Sequence, residues 1–584
     1  MNDETAGRLG GRLSFNLIDQ QWLPVQLHSG SETQLSLREL FEQAGSIRRL
    51  VGDVPTQDFA LIRLLLAIVH DALEGPKDVD EWDELWHAQV PFEEVPGYLE
   101  RHRERFDLLH PVDPFFQTPD LRTTKDEIAP LNRIVVDVPN GEPFFTTRFP
   151  GVDRISFAEA ARWVVHAHAY DTSGIKSGVI GDDRAKQGKA YPQGVGWSGN
   201  LGAVLAEGTS LRETLLLNLI ATEHLGPDTK SVDRPAWRRP TCRPGSAVAT
   251  DSHRPSGIRD LYTWQTRRVR LRADAAGVYG VVLTYGDPLA PQNKQTHEPM
   301  TGWRRSTAQE KKLSQSLVYM PQEHDPSRAA WRGLAALISP VDQNAAASGE
   351  AASALRPRVV DWIARLCTER ALPKGTMIRV HTYGMVYGTQ QSVVDEIVED
   401  GVSMAVVLLN EENSALGQMA IDAVAEADTA VRILGKLASD LAVASMYNDK
   451  RRVQGDEKTV AEIARDGACE RGFAQLDGHF RKWLGAIRDG DDPTVLHARW
   501  RTIVRREIGR LGADLIAAAG DAAWNGRVVE VTKGTVAWRN DASAERWFQI
   551  QLGKELPPAP LEKGATESGQ SDDVPDSDSQ KVLA

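Results

Sequence analysis

Beyond Asn413 the sequence falls into a rhythm that matches the helical period. Leu434, Leu437 and Leu441 recur three and four apart, as do Phe473, Leu476, Phe480, Leu484 and Ile487, and then Trp500, Val504, Ile508, Leu511 and Leu515. A shorter amphipathic segment from Ala542 to Leu552 supplies a fourth run. Four such helices with short polar connections predict an all-α antiparallel four-helix bundle over residues 411–556, separate from what precedes it. The third helix carries Arg499, Arg501, Arg505, Arg506 and Arg510. Those long side chains can reach water, or Arg499, Arg505 and Arg506 can face a phosphate backbone.

A chain of 584 residues is too long for one core. Residues 1–410 predict a mixed α/β domain with long loops. Phe15 to Val25 reads as a strand, Ser36 as a helix cap with Glu39 three residues on, and Thr56 as the start of a longer helix. Prolines and Asn140-Gly141 break every period between about 116 and 150. A helix is expected from Phe157 to Ala169. Eight glycines then fall between 171 and 202, a length of loop that is uncommon unless it serves a function. Strands are expected at 269–271, 278–284, 376–382 and 404–409. From 557 to 584 the composition predicts a disordered acidic tail.

With 41% hydrophobic and 26% charged residues the chain reads as soluble and globular. The best apolar run, Leu61 to Val69, is short and holds Arg63, so no membrane span is expected; the polar start and three scattered cysteines point to a cytoplasmic protein without disulfides, metal or cofactor. A net charge of −13 argues against nucleic acid, but its distribution does not. Between Lys230 and Asp274 eleven basic residues stand against four acidic ones.

Catalytic motifs fare poorly. His70-Asp71 is the pair used by metal-dependent phosphohydrolases, but it lies in an apolar run without the further His and Asp clusters such a site needs. His166 and His168 occupy alternate helical positions that do not face one ligand. The Gly181–Lys189 stretch has the wrong glycine spacing for a phosphate loop, and Ala190 stands where Ser or Thr would hold magnesium. The chain reads as non-catalytic, with an HD-type phosphohydrolase and a purely protein-binding scaffold as alternatives. Gln390 and Gln391 follow a glycine at 388 and precede an apolar segment. They read either as a polar hairpin tip or as a wedge whose amides offset the cost of unstacking a base step.

The runs Phe15–Val25, Leu35–Phe41 and Phe59–Leu73, followed by His110–Gln117, Gly208–Leu219 and Leu261–Gln265, resemble the large subunit of the type I-E CRISPR Cascade complex, the CasA family. The resemblance extends to about Leu556. It implies a non-catalytic subunit that reads the protospacer-adjacent motif in double-stranded DNA, promotes strand separation and R-loop formation, and recruits the Cas helicase-nuclease. Its implied partners are the other Cascade subunits, the guide RNA and the target duplex. The resemblance places the family's glutamine wedge on Gln391, with Gln390 beside it. A minor-groove lysine finger falls on Lys294, with Asn293 as a second donor. The glycine loop falls within 188–202, at Gly194, Gly196 and Gly199, where a side chain would hold the backbone off DNA. Contact with the guide-RNA handle falls on Phe145, Thr146 and Thr147, the ring stacking on a base. Cys242 stands alone, so no zinc ribbon carries over.

Overall fold

Serine and proline set where the first elements begin. The computed structural model describes residues 8–9, 12–136, 151–225, 233–246, 254–339, 351–410, 414–445, 459–532 and 535–557. Strand β1 (Leu23–Leu27) is central in an antiparallel sheet with β2 (Glu32–Leu35) and β3 (Ile47–Leu50). The expected strand thus begins only at Leu23; upstream, Asn16 makes an isolated bridge to Asp107. Helix α1 (Leu37–Glu42) starts at a capping box: Glu39 N donates to Ser36 Oγ at 3.2 Å, and Ser36 N to the Glu39 carboxylate at 2.8 Å.

Helix α2 (Pro55–Ala72) opens on proline, whose missing N–H costs nothing in the first turn. Nearly every residue along it is buried, so it runs through the core rather than over it. Helix α3 (Phe157–Tyr170), capped by Ser156, packs against it; His166 Nε2 lies 2.9 Å from Thr56 Oγ1, and His168 Nε2 donates to Phe116 O at 2.9 Å. The two histidines therefore serve different partners.

Strand β4 (Ala203–Glu207) edges a second antiparallel sheet. Strands β5 (Arg267–Asp274) and β6 (Gly277–Tyr285) form a hairpin, with Leu271 opposite Val281. Strands β7 (Met377–Tyr387) and β8 (Val394–Ala405) form a longer one in the order β8-β7-β4. Strand β8 begins well before the expected 404, and Val406–Leu409 is a 3-10 turn. Phe59 on α2 meets Tyr383 on β7 with ring centres 5.6 Å apart, which ties the hairpin to the core.

The C-terminal region is helical where its periodicity said: α4 (Ala415–Ser445), α5 (Val460–Gly485), α6 (Pro493–Ala517) and α7 (Asp541–Glu555). It is not all-α. A hairpin of β9 (Arg527–Thr532) and β10 (Thr535–Arg539) stands between α6 and α7. The chain divides into two compact units, one of Met1–Asp428 with Ala474–His497, the other of Thr429–Phe473 with Ala498–Ala584. In the second unit a Cβ on Gly512 would lie 2.4 Å from the Phe548 ring, so glycine there lets α6 and α7 approach. Among the described residues no helix is long and apolar enough to cross a membrane. The acidic tail from 558 lies outside the described residues.

Candidate nucleic-acid interface

Strands β7 and β8 pair from Met377–Ala405 to Tyr387–Val394 and leave Gly388 to Val393 as the tip. The turn closes through Gly388 N to Val393 O at 3.1 Å and Gln391 N to Gly388 O at 2.9 Å. Gln390 and Gln391 are both exposed, and both hold φ at +55°. That left-handed conformation costs a non-glycine residue roughly 1–2 kcal/mol. Two adjacent glutamines kept at this cost in water are an outlier that points to use of the side chains.

The tip is tethered. Ser173 N donates to Gln391 O at 2.7 Å, and Gly194 N donates to Ser173 Oγ at 3.1 Å, so one serine joins the glutamine tip to the glycine loop. Tyr387 Oη, three residues before Gln390, donates to Tyr170 O at 2.6 Å. The three glycines differ. Gly194 has φ +95° and open space where a Cβ would sit. Gly196 and Gly199 are buried; a Cβ would meet the Ala169–Tyr170 backbone at 2.4 Å in one case and Tyr387 Oη at 2.1 Å in the other. Glycine at 196 and 199 thus serves internal packing, and Gly194 alone of the three stands where a backbone approach from outside is open.

Below the loop, Arg267 donates to Asp171 O, Thr172 O and Gly194 O at 2.8, 3.0 and 3.0 Å and pairs with the Asp171 carboxylate, to which Lys176 Nζ also comes within 2.6 Å. Burial works to raise the Asp171 carboxyl, but Lys176 and Arg267 outweigh it and hold it below its ordinary value. Burial in turn brings the Lys176 ammonium down to about 8.

Lys294 is half-buried, its ammonium lowered by that burial, and no carboxylate pairs with it among the described residues. Asn293 is already engaged: its Oδ1 accepts from Tyr319 N at 2.8 Å and its Nδ2 faces Gln315 Oε1 and Leu317 O at 3.3 Å. Four residues after Lys294, fully buried Glu298 takes both Arg63 guanidinium nitrogens at 2.9 Å and Trp197 Nε1 at 2.6 Å. Trp197 stands between Gly196 and Gly199. The lysine segment, the glycine loop and α2 therefore share one buried carboxylate.

The basic stretch turns largely inward. Arg238 and Arg259 pair with Asp71, Arg239 and Arg254 with Asp260, Arg267 with Asp171 and Arg268 with Asp287. Asp71 also accepts from Tyr98 Oη. Burial, helped by Arg259, brings the neighbouring His70 down to about 3. A carboxylate saturated by two arginines and a phenol cannot serve as a metal ligand, which removes the support for the HD-type reading. Among the described residues no cluster of His, Cys, Asp and Glu could hold a metal.

On α6, Arg505 donates to Leu556 O at 2.7 Å and Arg506 pairs with Glu507 at 2.8 Å. Arg499 is exposed, with no ion pair among the described residues. Phe145, Thr146 and Thr147 lie outside the described residues. Sequence reading did not single out Ser173, Trp197, Glu298 or Tyr387, and counted Arg267 only as one basic residue of the 230–274 stretch. The composition gave no signal for them, because their partners lie 73 to 235 residues away or, for Ser173, on two separate segments.

Fold and site together define a large mixed α/β protein with a helical C-terminal region, a strained glutamine hairpin tip and a glycine loop bonded to it. The family model of the CRISPR-associated protein Cse1 matches residues 16–511, and the chain belongs to that family. It is similar to Cse1 of Thermobifida fusca, with 56% identity and a TM-score of 0.84 over 93% of this chain and 98% of that one. It is 27% identical to the CRISPR-associated protein CasA/Cse1 of Thermus thermophilus over 82% of this chain and 91% of that protein. A chain of a CRISPR RNA-guided surveillance complex shares the fold, at 17% identity and a TM-score of 0.61 over 87% of this chain and 99% of that one.

Proposed function

We propose that this chain is the non-catalytic DNA-recognition subunit of a type I-E guide-RNA surveillance complex. It reads the motif beside the target in duplex DNA, helps separate the strands, and offers its C-terminal helices, arranged as an antiparallel bundle, as a landing surface for the helicase-nuclease. Guide pairing reads the target sequence, and this subunit reads only the short motif and the duplex shape. The observation that carries the reading is the exposed Gln390–Gln391 pair, held left-handed and bonded through Ser173 to the loop of Gly194. Gln391 acts as the wedge, Lys294 as the minor-groove cation and Gly194 as the point of backbone approach. Gly196 and Gly199 shape the loop from within. Arg499 is the best placed of the three α6 arginines for a backbone contact, and Phe145, Thr146 and Thr147 are assigned to the guide-RNA handle.

The test is assembly with the other Cascade subunits and guide RNA, followed by binding to a library of duplexes that differ only beside the target. Gln391→Ala and Lys294→Ala are each expected to weaken motif-bearing duplex at least tenfold. Equal affinity for every flanking sequence, or indifference to both substitutions, refutes the assignment.

A further inference from the structure

Away from the hairpin tip, a cavity of about 540 Å³ opens between the turn at Arg105 and the 236–246 segment. That volume lies within the range of small-molecule sites. Its walls carry four arginines, Arg105, Arg239, Arg243 and Arg254, and one carboxylate, Asp287. Asp287 is spent: Arg268 Nη2 lies 2.9 Å from it and Ser246 Oγ donates to it at 3.1 Å. Asp260, outside the wall, serves Arg239 and Arg254 together at 3.1 and 2.5 Å.

The other two cations have no such carboxylate. Arg105 uses its guanidinium to hold Arg239 O and Ala236 O at 2.8 and 3.2 Å, which fixes it in place with further N–H donors to spare. Asp113 influences Arg105 but forms no ion pair with it among the described residues, and its carboxylate accepts from Thr241 Oγ1. Arg243 is exposed at the rim and has no side-chain partner among the described residues. Burial raises the Cys242 thiol, so it adds no negative charge at neutral pH. Phe116, Trp237 and prolines make part of the wall apolar, beside the polar side chains of Gln117, Thr241, Thr263 and Gln265. The cavity is therefore cationic, walled partly by apolar rings, and larger than a phosphate ion needs.

We propose that this cavity binds a nucleotide by its phosphate, with Arg105 as the fixed fork and Arg243 as the closing cation, and the nucleoside against the apolar wall. Guanidinium forks are the side chains suited to phosphate oxygens. The phosphate can belong to a free mononucleotide or to the 5′ end of an oligonucleotide. None of the wall residues belongs to the hairpin tip or to the lysine segment, so this proposal and the motif-reading one fail separately.

Calorimetric titration of the full-length chain tests it with AMP, adenosine, inorganic pyrophosphate, and one short oligonucleotide with and without a 5′-phosphate. AMP is expected to bind once per chain, at least tenfold more tightly than adenosine or pyrophosphate. A 5′-phosphorylated oligonucleotide that matches or exceeds AMP identifies a strand end as the source, and one that fails to bind identifies the free nucleotide. Arg243→Ala, whose side chain has no partner among the described residues, is expected to keep the melting temperature and to weaken AMP about tenfold, the worth of one charge-assisted hydrogen bond. The proposal is overturned if no phosphorylated probe binds, if adenosine or pyrophosphate matches AMP, or if Arg243→Ala leaves the affinity unchanged.

Discussion

Replacing Gln390 and Gln391 together by glycine removes two left-handed non-glycine residues while leaving the turn's backbone bonds in place. Relief of strain at both positions is set against the greater freedom of glycine in the unfolded chain, so thermal stability is expected to hold or rise by about 1 kcal/mol. Motif binding by the assembled complex is expected to fall. A drop in melting temperature would instead show the side chains to be structural. The buried histidines give a second residue-scale expectation. His70 and His166 are brought down to about 3 and His168 to about 4, chiefly by burial. The unfolded chain thus binds more protons below 6.5, so stability from these groups is complete above 6.5 and is lost as pH falls toward 3. Asp58 runs the other way: burial, with Glu399 and Asp53 nearby, raises it to about 7 despite its bond from Gly52 N. Its ionisation costs stability as pH rises from about 4 through 7, so Asp58→Asn should stabilise more at about pH 8 than at about pH 5 in denaturant titrations. The glutamine pair was visible in the sequence because it follows Gly388 directly but for one threonine; the serine that anchors it was not, since no local pattern marks a residue whose bonds are made across the fold.

At the scale of elements, the glycine loop separates two reasons for the same residue type. Gly194→Ala should cost about 1 kcal/mol, the price of a positive φ, whereas Gly196→Ala drives a Cβ into backbone that cannot move aside and should cost at least the upper end of the roughly 1–3 kcal/mol typical of overpacking. Chemical denaturation of the two variants checks the order. Helices were the legible elements, because α1 and α3 carry serine caps, α2 opens on proline, and the C-terminal set repeats its apolar residues three and four apart. The strands at β5, β6 and β7 were also visible. Strand β8 was read ten residues short, because Asp395, Glu396, Glu399 and Asp400 interrupt its apolar pattern on both faces of a half that is exposed or only partly buried. The β9–β10 hairpin was missed although Val528, Val536 and Trp538 flank Lys533-Gly534 in the sequence. Those apolar side chains are exposed, Trp538 opposite Val528, so core reasoning gave no place for them.

For the molecule as a whole, the Arg63–Glu298 pair joins α2 to the lysine segment and the glycine loop. Glu298→Gln leaves a buried guanidinium without its charge partner and is expected to cost about 3–5 kcal/mol, read as a lower denaturation midpoint. Faster amide exchange around Trp197 should accompany it. Mixed architecture and family were legible across most of the chain, but the electrostatics were not, because a count of arginines does not say which way they face. Turning Arg238, Arg239, Arg254, Arg259, Arg267 and Arg268 inward onto Asp71, Asp260, Asp171 and Asp287 leaves a chain of net −13 with little outward attraction to set against it. A polyanion approaching the isolated chain meets repulsion before it meets any contact. Modest added electrolyte should then quicken the first collision, the reverse of an electrostatically steered encounter.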